Sequence, residues 1–276
     1  MDYKIIVDSC CDLTEELEEK LGAATVSLSI HLGEDEYRDD RSLEIKSFMA
    51  KMKECTSKIG TSAPSPGEYR DAFVNAKHAF CLPITSKLSA SYSSAKAGQA
   101  LAHEEGVDDI HVFDTESATA GQVLLAVKIR ELLDNGFSKS DIISKIDAFI
   151  KEMKTYFVLE NHDNLIKNGR MSKITSKLLG ALDIKLIMKA KDGAIASAAK
   201  TRGEKKMLER IIELIRESGR KPEENQLVIT HCNNDRLADI LKELIKTNFN
   251  FKEIIVLHTR GIATVYADDQ GIVMAF

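Results

Sequence analysis

The sequence predicts an α/β protein made of two α/β domains: a mostly parallel sheet in the first, a mixed sheet in the second, and a ligand cleft between them. Three observations predict it. Short apolar β-type runs alternate with helix-period stretches through the first half, the pattern of βαβ units. The texture changes near Lys154, where strands crowd together and Asp192-Gly193 joins two of them. A chain of 276 residues also suits two domains of ordinary size. The expected division is 1–153 and 154–276.

In the first domain the expected strands are Lys4–Val7, Thr25–Ile30, His78–Ile84 and Asp109–Phe113. Helices are expected at Thr14–Leu21, Leu43–Cys55, Pro66–Ala76, Ser89–Glu104, Ala118–Asn135 and Ser138–Met153. Glu15 and Glu16 favour the positive end of the first helix. Ser65 before Pro66 reads as an N-cap, and Asn135-Gly136 as a glycine-type stop. In the second domain Tyr156–Leu159 is an expected strand, followed by helical stretches at Leu165–Asn168 and Ser172–Leu182. A hairpin of Ile184–Met188 and Ala194–Ala199 comes next. Then come the helix Glu204–Ser218, the strand Gln226–Thr230 and the helix Asp235–Thr247. Three late strands are expected at Lys252–Leu257, Gly261–Tyr266 and Gly271–Phe276.

Composition narrows the function. Hydrophobic residues make up 43% and charged residues 29%, a globular balance. A net charge of −5 speaks against nucleic acid as the main partner. Positive charge is concentrated between Lys154 and Lys221, with 16 Lys and Arg against 8 Asp and Glu. That stretch is either a set of solvated helix faces or a docking face for an acidic partner or a phosphate. The opening apolar run is too short for a signal peptide, and no run approaches a membrane span. Five cysteines without a CxxC pair fit reduced thiols, so a cytoplasmic protein without stable membrane insertion is expected.

Two loops carry the chemistry. Gly60-Thr61-Ser62-Ala63-Pro64-Ser65 precedes a helix, and its Thr61 and Ser62 lie outside the cap. Ile84 to Ala95 follows a strand, opens a helix and is dense in hydroxyls. Ligands in open α/β sheets bind at the carboxyl ends of strands, where helix N-termini offer free N–H groups. Neither a P-loop nor GxGxxG follows a strand, so nucleotides have no motif support, whereas a carboxylate suits neutral hydroxyls and amides. Catalytic signals are weak: there is no GxSxG elbow and no HExxH. His111 reads as structural, while His231 and His258 end strands, a better position for function. Asp8 and Asp114 end strands in the same way and read as holding the turns that follow.

Taken in order, five segments resemble the DegV family of bacterial fatty-acid-binding proteins over the whole chain. They are Ile6-Val7-Asp8-Ser9 with Asp12-Leu13; Thr61 to Ser65; Ser86 to Ala95; Val112-Phe113-Asp114-Thr115 with Gly121-Gln122; and Gly169-Arg170-Met171-Ser172. The resemblance implies a long-chain fatty acid between two α/β domains, its carboxylate held by Thr61 and Ser89 with Ser62 and the Ala90 backbone nearby. It implies no cofactor, no catalysis, and a fatty-acid kinase as partner, docking on the side of Arg170 and Arg202. The chain departs from the family pattern in carrying Ala63 for Gln and Ala90-Ser91 for Gly-Thr. It also carries Tyr266 for the His of a C-terminal His-x-Gly-Pro-Gly stretch, followed by Asp268 and Asp269. A Tyr hydroxyl can donate in place of His, and Asp268 and Asp269 would repel a carboxylate they faced. Two other readings stand beside the carrier: a hydrolase or transferase acting on an acyl substrate, and a sensor of a smaller carboxylate.

Overall fold

The computed structural model describes residues 3–171 and 183–276. A four-stranded parallel sheet runs β2-β1-β6-β7, from β1 (Lys4–Asp8), β2 (Ala23–Val26), β6 (His78–Leu82) and β7 (Asp109–Val112). Its two faces are covered differently. Helices α3 (Pro66–Ala76) and α4 (Ser91–Glu104) pack one face through Tyr69, Phe73, Ala95 and Ala102. The other face meets α1 (Glu15–Leu21), α5 (Ala120–Asp134) and α6 (Lys139–Glu152).

Beyond α5 lies a six-stranded mixed sheet, ordered β10-β9-β8-β13-β11-β12. Its strands are β8 (Thr155–Val158), β9 (Ile184–Lys191), β10 (Ala194–Arg202), β11 (Leu227–His231), β12 (Ile254–His258) and β13 (Ile272–Ala275). Strand alternation divides its core. Val228, Val273 and Ala275 face α5, while Leu227, Ile229, Ile272 and Met274 face α8 (Glu204–Glu217) and α9 (Asp235–Asn248). The layers therefore run helix, sheet, helix, sheet, helix. Helix α5 is sandwiched between the sheets, with nine of its fifteen residues buried, which is why its sequence is apolar on nearly every side.

A third, antiparallel sheet of β4 (Asp35–Arg38), β3 (Ser29–Leu32) and β5 (Ile59–Ser62) sits under α2 (Ile45–Glu54) and α10 (Gly261–Ala267). Short α7 (Asp163–Lys167) completes the described helices.

Three expectations change. The single strand Thr25–Ile30 is two strands in different sheets, β2 and β3, because Ser27-Leu28 turns the chain between them. Strands β4 and β5 were not expected: Asp-Glu-Tyr-Arg and Ile-Gly-Thr-Ser lack an apolar alternation and are set by pairing with β3. The expected strand Gly261–Tyr266 is the helix α10. Six of its seven residues are buried, so no amphipathic period shows, and its start is fixed from outside. Asp39 accepts the Gly261 and Ile262 N–H groups at 2.9 and 3.0 Å, and Asp12 accepts that of Arg260 at 2.8 Å. A Cβ on Gly261 would stand 2.6 Å from Asp39 Oδ1, so glycine is what lets the cap approach. The expected helix Ser172–Leu182 lies outside the described residues. The Asp192-Gly193 hairpin forms as expected, with φ of 50° and 77° at the turn and Lys191 opposite Ala194.

Candidate functional site

Loops leaving the carboxyl ends of β1, β6 and β7 converge on one cavity, which the six-stranded sheet closes from the other side. The cavity encloses about 860 Å³ not filled by protein atoms, part of it open to solvent. The first half contributes Cys10, Leu28, Ile84, Thr85, Leu88 and Ala118; the second contributes Phe157, Leu159, Leu165, Ile195, Ile262 and Val273. Most of the wall is hydrocarbon, and Arg170 is the only charged residue among the described lining.

The positions of these loops trace to Asp8, fully buried at the end of β1. Its carboxylate accepts from the Ile84 N–H (2.8 Å), the Ser91 hydroxyl (2.6 Å), the Gln122 amide (2.9 Å) and the Cys10 N–H (3.2 Å). One side chain thus ties together the loops after β1 and β6 and the starts of α4 and α5. Burial pushes its carboxyl up from the usual aspartate value, and those four donors pull it back. This is the turn-holding role expected of it. Asp114 does the same for the second hydroxyl loop, accepting the Ser86 N–H at 3.0 Å.

One group of polar residues on the cavity stands where the three-stranded sheet meets α10. Thr61 Oγ1 and the Tyr266 hydroxyl lie 2.8 Å apart. One donates to the other, so the pair keeps one O–H for a ligand. Ser89 also lines the cavity; its Oγ accepts the Ser91 N–H at 3.1 Å and retains its proton. The Arg170 guanidinium lies 6.0 Å from the Tyr266 ring centre and donates to the carbonyls of Leu88 (3.0 Å) and Asn168 (2.7 Å). These bonds hold a cation at the cavity edge. Neutral hydroxyls beside a fixed guanidinium make a site for one anionic group.

Thr61, Ser89, Tyr266 and Arg170 are therefore brought together; Ser62, Ala90 and Arg202 are not. Ser62 follows Thr61 on β5, so alternation turns it to the opposite face, where it meets His31 Nε2 at 2.7 Å. Ala90 is exposed beside the start of α4 with φ −74° and ψ −2°, a conformation open to any residue, so alanine strains nothing there. Arg202 is exposed at the end of β10. Asp268 and Asp269 do not line the cavity. Asn161 holds Asp268 (2.7 Å), while Asn233 (2.9 Å) and Lys53 (3.2 Å) hold Asp269. His231 and His258 end adjacent parallel strands with ring centres 4.3 Å apart, away from the cavity, and His231 Nδ1 accepts the Asn234 N–H.

Comparison with known proteins agrees with this architecture. A family model described as "Uncharacterised protein, DegV family" matches residues 2–275. A DegV domain-containing protein of Streptococcus gordonii is 33% identical over 280 residues, covering 100% of this chain and 99% of its own length. The chain belongs to the DegV family. Among solved DegV structures, a Ruminococcus gnavus protein refined with vaccenic acid superposes with a TM-score of 0.93 at 36% identity, covering 99% of each chain. The Streptococcus pneumoniae Fatty Acid Kinase (Fak) B3 protein, loaded with linoleic acid, gives 0.91 at 32% identity, covering 100% of this chain and 99% of its own. A Eubacterium eligens DegV protein loaded with heptadecanoic acid gives 0.93 at 26% identity, covering 99% of each chain.

Sequence reasoning missed part of this DegV cavity. Thr85, Ser117, Thr119 and Thr155 also line it. The run from Asp114 to Thr119 follows β7 as the Ser-rich loop follows β6, and its three hydroxyl residues were the available signal. Gly121, part of a recognised segment, has a packing reason: a Cβ there would stand 2.0 Å from Ser117 Oγ.

Proposed function

We propose that this DegV protein binds one long-chain fatty acid in the cavity, its acyl chain along the hydrocarbon wall and its carboxylate at Thr61, Ser89 and Tyr266. The observation that carries the reading is the cavity itself: apolar along most of its wall, with hydroxyls and one guanidinium at one edge. Its DegV relatives, loaded with vaccenic, heptadecanoic and linoleic acids, support it. Tyr266 takes the part a histidine would play, donating its hydroxyl to the carboxylate. Residues 1–153 carry the hydroxyl loops, and 154–276 supply the cover together with Tyr266.

Delivery to a fatty-acid kinase is the second half of the proposal. Arg202 is exposed and available for docking. Arg170 lies at the cavity edge, so it is placed to touch both the carboxylate and a partner that reaches for it. Five free cysteines suit a cytoplasmic protein, and no described helix is long and apolar enough to cross a membrane.

The geometry favours holding over turnover. A hydroxyl nucleophile needs a neighbouring base, and no His, Asp, Glu or Lys is among the described lining residues. The one thiol there, Cys10, is pushed well above its usual value by burial and by Asp8 and Asp12, so it stays protonated. Protein purified from its host should release one long-chain fatty acid per chain on lipid extraction and mass spectrometry. Purified protein that carries none and takes up neither palmitate nor oleate would overturn the proposal.

A further inference from the structure

One strand measures the cavity. Thr155, Phe157 and Leu159 all line it, so alternate residues along β8 and its end face the same space. The strand therefore runs alongside the cavity. Leu159 belongs to an apolar cluster against which Tyr266 packs, so its end of the strand is the clamp end. Thr155 lies at the other end, about 13 Å away at the ordinary rise of a strand.

At that far end the cavity meets a hydroxyl pair. Ser117 Oγ and Thr155 Oγ1 lie 2.8 Å apart, one from each half of the molecule, and Ser117 Oγ is 3.5 Å from the Ala118 carbonyl oxygen. Both residues are buried. The hydroxyls are spent on each other and on that carbonyl, so they act on a ligand through their volume and not through hydrogen bonds. Neither can retreat. The Ser117 carbonyl accepts the Thr85 N–H at 2.9 Å. The first turn of α5 stands directly behind, where a Cβ at Gly121 would lie 2.6 Å from Ser117 Cβ and 3.2 Å from Thr155 Oγ1. The residue opposite Thr155 on β13 is small, Ala275, so the bulk at this end belongs to the pair. Thr155 also lines an outer groove, together with Lys151, Lys154 and Lys189. Beyond the pair, hydrocarbon gives way to ammonium groups and water.

We propose that the Ser117–Thr155 pair is the stop that sets the length of acyl chain the cavity accepts. This rests on the fatty-acid reading above, with the carboxylate at the clamp, and deepens it by naming the residues that select among acids. A short chain leaves apolar space in front of the pair unfilled. Each further methylene that reaches into that space leaves water and tightens binding. A chain that is too long must press on a pair that cannot retreat, or draw its carboxylate away from Thr61 and Tyr266. Affinity therefore rises with length to one limit and falls beyond it, and the bulk of Thr155 and Ser117 sets that limit.

The test is displacement of a fluorescent fatty acid, cis-parinaric acid, from the lipid-stripped full chain by myristoleate, palmitoleate, oleate and gadoleate. These acids carry their double bond at the same distance from the carboxylate and differ only in the length of the methyl end. Wild-type affinity should climb along the series to one member and fall at the next. Ser117→Ala combined with Thr155→Ala should move that turning point to longer acids. It should raise the affinity of the longer acid relative to the shorter about tenfold, the worth of two more buried methylenes. Thr155→Leu should move the turning point to shorter acids. Ratios between acids measured on one preparation do not depend on its folded fraction. A turning point that stays in place in both variants, or wild-type affinity that climbs to the longest acid, would overturn the inference while leaving the fatty-acid reading intact. Failure of all these acids to displace the probe would remove both. The wild-type profile and the leucine variant decide the matter even if the double variant does not fold.

Discussion

In the first half of the chain, loops are held by buried carboxylates. Asp8 takes four donors from two loops and the starts of two helices, and Asp39 takes two from the start of α10. In the six-stranded sheet no described Asp or Glu is buried; its core is mostly aliphatic and aromatic on both faces, with Thr155, Thr230 and His231 as its buried polar residues. The half that carries Thr61 and Ser89 thus fixes its loops with directional, charge-assisted bonds, while the half that closes the cavity from the other side relies mainly on non-directional packing. Placing a carboxylate needs groups held at hydrogen-bonding distance; covering hydrocarbon needs only apolar area. Tyr266 bridges the two, since its helix belongs to the second half but starts on Asp12 and Asp39 of the first.

Variants can break this contrast. The largest effect is expected from Asp8→Ala, which strands four donors: a loss of about 4 kcal/mol in urea unfolding, larger than for any single aliphatic truncation at the edge of the second sheet. Gly261→Ala comes next, at about 2 kcal/mol, because its methyl would meet both Asp39 and Leu43, and fatty-acid affinity should fall with it as Tyr266 shifts. Thr61→Val and Tyr266→Phe should each weaken oleate binding in calorimetry by about 1.5–2 kcal/mol, while unfolding midpoints stay close to wild type.

Asp12→Asn should have a smaller effect of the opposite sign. Burial pushes the Asp12 carboxyl well above its usual value, and its second oxygen is buried without a well-formed hydrogen bond, near Thr230. The folded state therefore binds more protons than the unfolded one. The stability that Asp12 contributes is fully present below the ordinary aspartate range and is lost as pH rises through the elevated value. Asparagine keeps an oxygen for the Arg260 N–H and does not titrate, so the variant gains most at alkaline pH and the gain shrinks on acidification. Unfolding curves across pH check both sign and window. Least affected are Ser62→Ala and Arg202→Ala, which should leave oleate affinity within about twofold, since neither touches the cavity.

The legible parts of the molecule were those with local signals. Apolar alternation and glycine stops reveal β1, β6 and α5; motif order points to Thr61 and Ser89, and Tyr266 stands where the family pattern carries a histidine, all three lining the cavity. Helix α10 was not legible, because a segment buried on every side has no period and its cap comes from Asp39, far away in sequence. Strands β4 and β5 were hidden for a related reason: pairing with β3, not their own composition, makes them strands. Thr119 falls inside the expected helix Ala118–Asn135 and Ser117 just before it, so their place on the cavity wall shows only once Thr155 and the cavity stand beside them.

The placement of the carboxylate at Thr61, Ser89 and Tyr266 is tested most directly by 13C NMR of carboxyl-labelled palmitate bound to the protein. A single bound resonance is predicted, displaced from that of free palmitate, and it should move in both Thr61→Val and Tyr266→Phe. A bound resonance that neither substitution shifts would place the carboxylate elsewhere and contradict the account.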